Sequence, residues 1–189
     1  MDIEPRHDFE AAQQAVRKWS QMAAPWSGEV YRSATPRYAR AADIVTGLGS
    51  GKLGGRWNPP GGFATVYASL QPEAAMSESL AAFRYYGWAL HDAMPRLFRS
   101  LAVSLVLVLD LRQPALAPEL AGWMERIRHE DWRALQQAGR EPASQMLGRA
   151  AFAAGLEGLL VPSFAAADTT NLVAFPGNFA AASSIRVIR

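Results

Sequence analysis

Strand-forming and helix-forming stretches follow one another along this 189-residue chain without a regular β–α–β alternation, which predicts an α+β fold. Two stretches weigh most. Leu97 to Leu111 carries Val103, Leu105, Val106, Leu107, Val108 and Leu109 and reads as a strand central in its sheet. Pro72 to about Leu90 is rich in Ala, Leu and Met, with proline at the first helical position and Glu73 in the first turn, and reads as a helix.

The other elements fall between these. Phe9, Ala12, Val16 and Trp19 recur at helical spacing, so a first helix runs from His7 or Asp8 to about Gln21, stopped by Pro25 and Gly28. Glu29 to Ser33 reads as a short strand ended by Pro36, and residues 37–53 lack periodicity and read as a loop. Ala64 to Ala68 is a buried strand. Beyond Pro114 and Pro118, Glu119 to about Gln137 forms one or two helices anchored inward by Trp123, Ile127 and Trp132. Ala143 to Ala154 is a further helix with Gly155 as its stop. Gly158 to Val161 is a short buried strand, and Ile185 to Ile188 closes the chain as an edge strand.

Composition narrows the function classes. Half the residues are apolar and 19% are charged, which suits one ordered domain over residues 1–189 that buries roughly 70% of its unfolded surface. No apolar run approaches the ~20 residues of a membrane span, and an N-terminus carrying Asp2, Glu4 and Arg6 is unlike a signal peptide. A cytoplasmic location and no membrane partner are therefore expected. Cysteine is absent, which excludes disulfides and thiolate metal sites, and His7, His91 and His129 show no metal-ligand spacing. With a net charge of +2 and arginines interleaved with acids, no nucleic-acid partner is expected. No G-x-G-x-x-G follows a strand into a helix, and there is no P-loop or G-x-S-x-G elbow.

The most unusual stretch is Gly54-Gly55-Arg56-Trp57-Asn58-Pro59-Pro60-Gly61-Gly62-Phe63-Ala64-Thr65-Val66-Tyr67. Glycines allow close backbone approach to a ligand, and Arg, Trp and Asn are suited to anion binding, stacking and amide pairing. A glycine-rich hairpin whose Trp and Tyr fill a core fits the same residues equally well.

Taken in order, Arg32, Gly55-Arg56-Trp57-Asn58, Tyr67 with Glu78 eleven residues on, and Pro162-Ser163 followed by Asn171 form a set that resembles the RES-domain family. Members are toxins of bacterial RES–Xre toxin–antitoxin systems. The resemblance covers about Tyr31 to Pro176, with a core of about 29–176 and the helix over about 8–22 as an extension. The run Pro59 to Phe63 is slightly longer than the family's pattern.

The resemblance implies an ADP-ribosyltransferase-like fold, a split, curved β core flanked by helices with an NAD cleft between its halves. It implies NAD⁺ as substrate, cleavage of the nicotinamide–ribose bond, NAD⁺ depletion and growth arrest unless an Xre-type helix-turn-helix antitoxin blocks the cleft. The resemblance is compatible with a homodimer within such a complex. Phosphate (as co-substrate) or water is the implied acceptor; protein ADP-ribosylation is the alternative, and a non-catalytic RES-fold binding module the alternative of another class. No metal is implied.

By the same resemblance Glu78 bonds a ribose hydroxyl and stabilises the developing oxocarbenium ion, and Arg32 and Arg56 clamp the phosphates or the nicotinamide ribose. Tyr67 stacks on nicotinamide or plugs the core. Trp57 belongs to the binding set, more as packing than as contact. Asn58 is a ligand group or a turn residue. Ser163 donates to phosphate or ribose and is a candidate holder of inorganic phosphate. Asn171 lines the same cleft or caps a turn.

Overall fold

In the computed structural model, which describes residues 5–38 and 40–188, the longest strand, β3 (Leu97–Asp110), is the axis of the sheet. The charges read at Asp2 and Glu4 lie outside the described residues. On one side β3 pairs antiparallel with β1 (Ala24–Ala34), from Ala24↔Val108 to Ala34↔Leu97. On its other side it meets β6 (Ser184–Val187) antiparallel over Leu101 to Ser104, then β4 (Gly158–Pro162) parallel over Val108 to Asp110. From β4 the sheet continues through β5 (Thr170–Ala174) to β2 (Val66–Ser69), both antiparallel. β2 returns to β1 at one register pair, Tyr31↔Ser69, so five strands form a closed, curved ring and β6 is an edge strand.

Strand alternation divides the apolar residues between two cores. Val30, Val66, Ala68, Leu101, Val103, Leu105, Leu160 and Leu172 form one cluster within the ring. Leu109, Leu159, Val161, Val173 and Phe175 face the other way, onto α1 (Pro5–Trp19), α5 (Ala117–His129) and α7 (Ala143–Ala153) through Val16, Trp19, Ile127 and Leu147. Both faces are covered, which is why the strands read as continuous apolar runs.

Several boundaries differ from expectation. β1 starts at Ala24, so Pro25 and Gly28 lie inside it. A register irregularity between Ala24 and Trp26 accommodates Pro25, whose missing N–H would interrupt a regular ladder. Residues 37–53 contain two short helices, α2 (Ala41–Ile44) and α3 (Leu48–Leu53). Neither is long enough to show a period. They are held by tertiary contacts, with Ile44 only 1% exposed and Ser50 Oγ donating to the Thr65 carbonyl at 2.6 Å while accepting the Thr65 N–H at 3.0 Å. α4 (Pro72–Tyr86) ends at Gly87, whose φ of 66° is the left-handed cap, short of the expected Leu90. The predicted single or double helix after Pro118 is α5 plus α6 (Trp132–Gln137). Among the described residues no helix is long and apolar enough to cross a membrane.

Candidate active site

A cleft of about 700 Å³ lies over the β1–β2 seam, and it gathers residues far apart in sequence. β1 contributes Arg32, the glycine-rich turn Arg56, β2 Tyr67, α4 Glu78 and β5 Asn171. Its volume falls in the range of ligand sites.

Glu78 is half-buried, and its Oε1 accepts two short hydrogen bonds, from Ser163 Oγ at 2.6 Å and Asn171 Nδ2 at 2.6 Å. Each donor is itself fixed. Asn171 Oδ1 accepts the Ser69 hydroxyl at 2.6 Å, a side-chain bond between the register partners of β2 and β5. Ser163 Oγ accepts the N–H groups of Ala165 at 3.2 Å and Ala166 at 3.0 Å. Hydrogen bonds to an ionised acceptor are about twice as strong as neutral ones, so the carboxylate is locked in direction. Among the described residues Oε2 has no hydrogen-bond donor.

Arg32 lies on the face of β1 that carries Val30 and Ala34, both packed in the ring core. Its Nη1 is buried and, among the described residues, without a partner. Burial pulls its pKa down, with the Tyr67 phenol acting in the opposite direction. An unpaired buried cation is costly unless a ligand anion completes it. Arg56 lies 4.3 Å from the Phe164 ring centroid and 5.9 Å from that of Trp132, and Nη1 donates to the Ile127 carbonyl at 3.4 Å. Burial lowers its pKa to about 10, assisted by Arg133 and opposed by Glu78.

The turn bearing Arg56 is a built platform. Gly55 and Asn58 form a bridge, and the Tyr67 hydroxyl closes it, accepting the Trp57 N–H at 2.9 Å and donating to Asn58 Oδ1 at 2.7 Å. Burial raises the Tyr67 pKa well above that of a free phenol. A Cβ on Gly55 would stand 2.6 Å from that hydroxyl, and one on Gly148 of α7 would stand 1.8 Å from the Trp57 carbonyl oxygen. Both approaches require glycine.

Residues 29–189 match the family model described as RES domain. The chain belongs to the RES-domain family. It is 28% identical over 141 residues to NAD(+) phosphorylase MbcT of Mycobacterium tuberculosis (strain ATCC 25618 / H37Rv), covering 73% of this chain and 68% of that protein. The same figures hold for MbcT of Mycobacterium bovis. The fold is shared with a chain in the crystal structure of the M. tuberculosis MbcT–MbcA toxin–antitoxin complex, with a TM-score of 0.72, 23% identity and coverage of 95% of this chain and 90% of that one.

In this RES domain the sequence-derived set does not form one uniform ligand shell. Arg32, Arg56, Tyr67, Glu78 and Asn171 line the cleft. Ser163, expected to donate to phosphate or ribose, spends its one hydroxyl proton on Glu78 instead. Asn58, expected as a ligand group or turn residue, is fully buried, and its amide donates to the carbonyls of Ser50 at 2.8 Å and Phe63 at 3.3 Å. It is a turn residue because no polar atom remains for a ligand. Trp57 borders the cleft, but its indole is packed in the outer core at 2% exposure. Trp132, expected as an inward anchor, lies in the cleft wall with Arg133, Arg84 and Tyr85. None of those three neighbours was signalled by the sequence. The adjacent aromatic and basic pair Trp132-Arg133, after the helix-capping Asp131, is the one local hint. Among the described residues no cluster of three or more metal-ligating side chains occurs.

Proposed function

We propose that this RES domain binds NAD⁺ in the cleft and breaks the nicotinamide–ribose bond, with inorganic phosphate as acceptor. The observation that carries this reading is the Glu78 carboxylate, clamped through one oxygen by Ser163 and Asn171, in a cleft that also contains Arg32, whose buried Nη1 has no partner among the described residues. The resemblance to a protein named NAD(+) phosphorylase supports the same substrate and acceptor.

Cleavage of this bond sends its electron pair to the nicotinamide nitrogen, neutralising the pyridinium, while positive charge develops at the ribose carbon. A phosphate oxygen then bonds to that carbon. The products are nicotinamide and ADP-ribose phosphorylated at the former glycosidic carbon, and the phosphate's proton stays on the new monoester until solvent takes it. The leaving group needs no protonation. What accelerates the step is a fixed negative charge beside the developing cation. Glu78 supplies that charge without reorganising, because its orientation is set in advance. Arg32 and Arg56 hold the pyrophosphate or ribose oxygens, and Tyr67 offers its ring to the nicotinamide. The chain acts as a toxin by depleting NAD⁺, and an Xre-type antitoxin restrains it by covering the cleft. The structural likeness to a toxin–antitoxin complex supports that role.

Purified protein is expected to consume NAD⁺ faster when phosphate is added. Glu78→Gln keeps an amide oxygen for Ser163 and Asn171 but removes the charge, so the rate is expected to fall by about 10²–10³ with the melting temperature retained. A Glu78→Gln protein that consumes NAD⁺ at the wild-type rate would remove Glu78 from the mechanism.

A further inference from the structure

The cleft carries more positive charge than a dinucleotide's pyrophosphate uses. Four arginines, Arg32, Arg56, Arg84 and Arg133, line it against one carboxylate, Glu78. Among the described residues none of the four is in an ion pair. Asp131, adjacent to the helix that carries Arg133, is committed elsewhere. Its Oδ1 accepts the N–H groups of Arg133 and Ala134, and its Oδ2 accepts the Tyr85 hydroxyl at 2.7 Å.

The crowding is greatest around Trp132. Arg133 stands 4.3 Å and Arg56 5.9 Å from its ring centroid, and Arg133 also lies 5.2 Å from the centroid of Tyr85. Two guanidiniums held against one indole repel each other, and Arg133 depresses the pKa of Arg56 as that repulsion requires. The Trp132 Nε1 is buried and, among the described residues, has no acceptor. Each guanidinium lies 4.3 Å from an aromatic centroid, Arg133 from Trp132 and Arg56 from Phe164, and planar forks of this kind match phosphate geometry.

We propose that Arg133, with Arg56 beside it, forms a second anion subsite on the α6 wall, built for a phosphate group additional to the pyrophosphate. This rests on reading the cleft as a dinucleotide site. A phosphate at this position is either free orthophosphate, the acceptor itself, or a phosphate carried on the dinucleotide's adenosine ribose.

The test uses the full chain with Glu78→Gln as background, so that binding is measured without turnover. Orthophosphate, NAD⁺ and NADP⁺ are titrated separately by calorimetry into that protein and into versions also carrying Arg133→Met or Arg133→Lys. Methionine keeps an apolar stem against Trp132, and lysine restores charge without the fork. For orthophosphate the expected result is a Kd about tenfold weaker with methionine and an intermediate value with lysine, because a charge-assisted bond is lost or degraded. A preference for NADP⁺ over NAD⁺ that disappears with Arg133→Met would assign the subsite to the dinucleotide's own extra phosphate. The inference is overturned if neither orthophosphate affinity nor the NADP⁺/NAD⁺ ratio responds to either substitution. If orthophosphate binds through Arg133 but the wild-type protein leaves NAD⁺ intact, the cleavage reading fails and the subsite stands. If NAD⁺ is consumed and Arg133 is inert, the reverse holds.

Discussion

Ser163→Ala tests whether Glu78 is preorganised. The substitution removes the 2.6 Å bond from Ser163 Oγ to Glu78 Oε1 and leaves Asn171 as the remaining donor to that oxygen. A hydrogen bond to a charged group contributes about 1.5–3 kcal/mol. If that orientation is needed in the transition state, kcat/KM falls by about 10- to 100-fold, since about 1.4 kcal/mol corresponds to a factor of ten. The Ala165 and Ala166 N–H groups lose their acceptor as well, but their segment is only half-buried and water can replace it. The stability cost is therefore about 1 kcal/mol, a fall in Tm of about 2–4 °C. Both are read from NAD⁺ loss at fixed phosphate and from a thermal melt. Asn171→Ala is expected to act similarly, and the double variant to lose less than the sum of the two, because both donors grip one oxygen. A Ser163→Ala enzyme with an unchanged rate, or strict additivity with Asn171→Ala, would refute the clamp.

Two further outcomes follow from the packing and the buried charges. Gly148→Ala sets a methyl group 1.8 Å from the Trp57 carbonyl oxygen, a backbone clash that no rotamer relieves, and is expected to destabilise the fold by about 3 kcal/mol or more in urea titrations. Glu157 is 2% exposed and accepts from Val106 N at 2.7 Å, Ala180 N at 2.8 Å and Ser183 Oγ at 2.7 Å, fastening the segment before β6 to β3. Burial opposes its ionisation, but these bonds outweigh it and hold the carboxyl below its ordinary range. Its contribution is therefore complete above the unfolded pKa of about 4.3 and is lost as pH falls through the lower folded-state value. Glu157→Gln is expected to lose about 2–3 kcal/mol at pH 7, and the gap between it and wild type to close in acid, measured by denaturant melts across pH.

Much of the architecture was legible along the chain. Pro72 at the head of α4, the apolar run of β3 and Gly155 after α7 each act through their own backbone chemistry, so local sequence is sufficient to find them. α2 and α3 were not legible, because they are shorter than two turns and stand on Ser50 and Ile44 reaching other segments. The start of β1 was hidden in the same way, since Pro25 is tolerated only where the ladder with β3 is irregular.

The ordered set from Arg32 to Asn171 was enough by itself to name the family and five of the residues that line the cleft, Arg32, Arg56, Tyr67, Glu78 and Asn171. Their division of labour was decided by the tertiary structure alone. Ser163 and Asn171 lie 85 and 93 positions from Glu78, so no sequence window reveals that both donate to one of its oxygens. Nor does the chain announce that Asn58 is consumed within its own turn, or that Arg133 joins Arg56 at one indole. Sequence periodicity reports which side chains are buried. Which polar atom is left free for a ligand depends on the partners that folding brings within 3 Å, and that is a property of the closed ring.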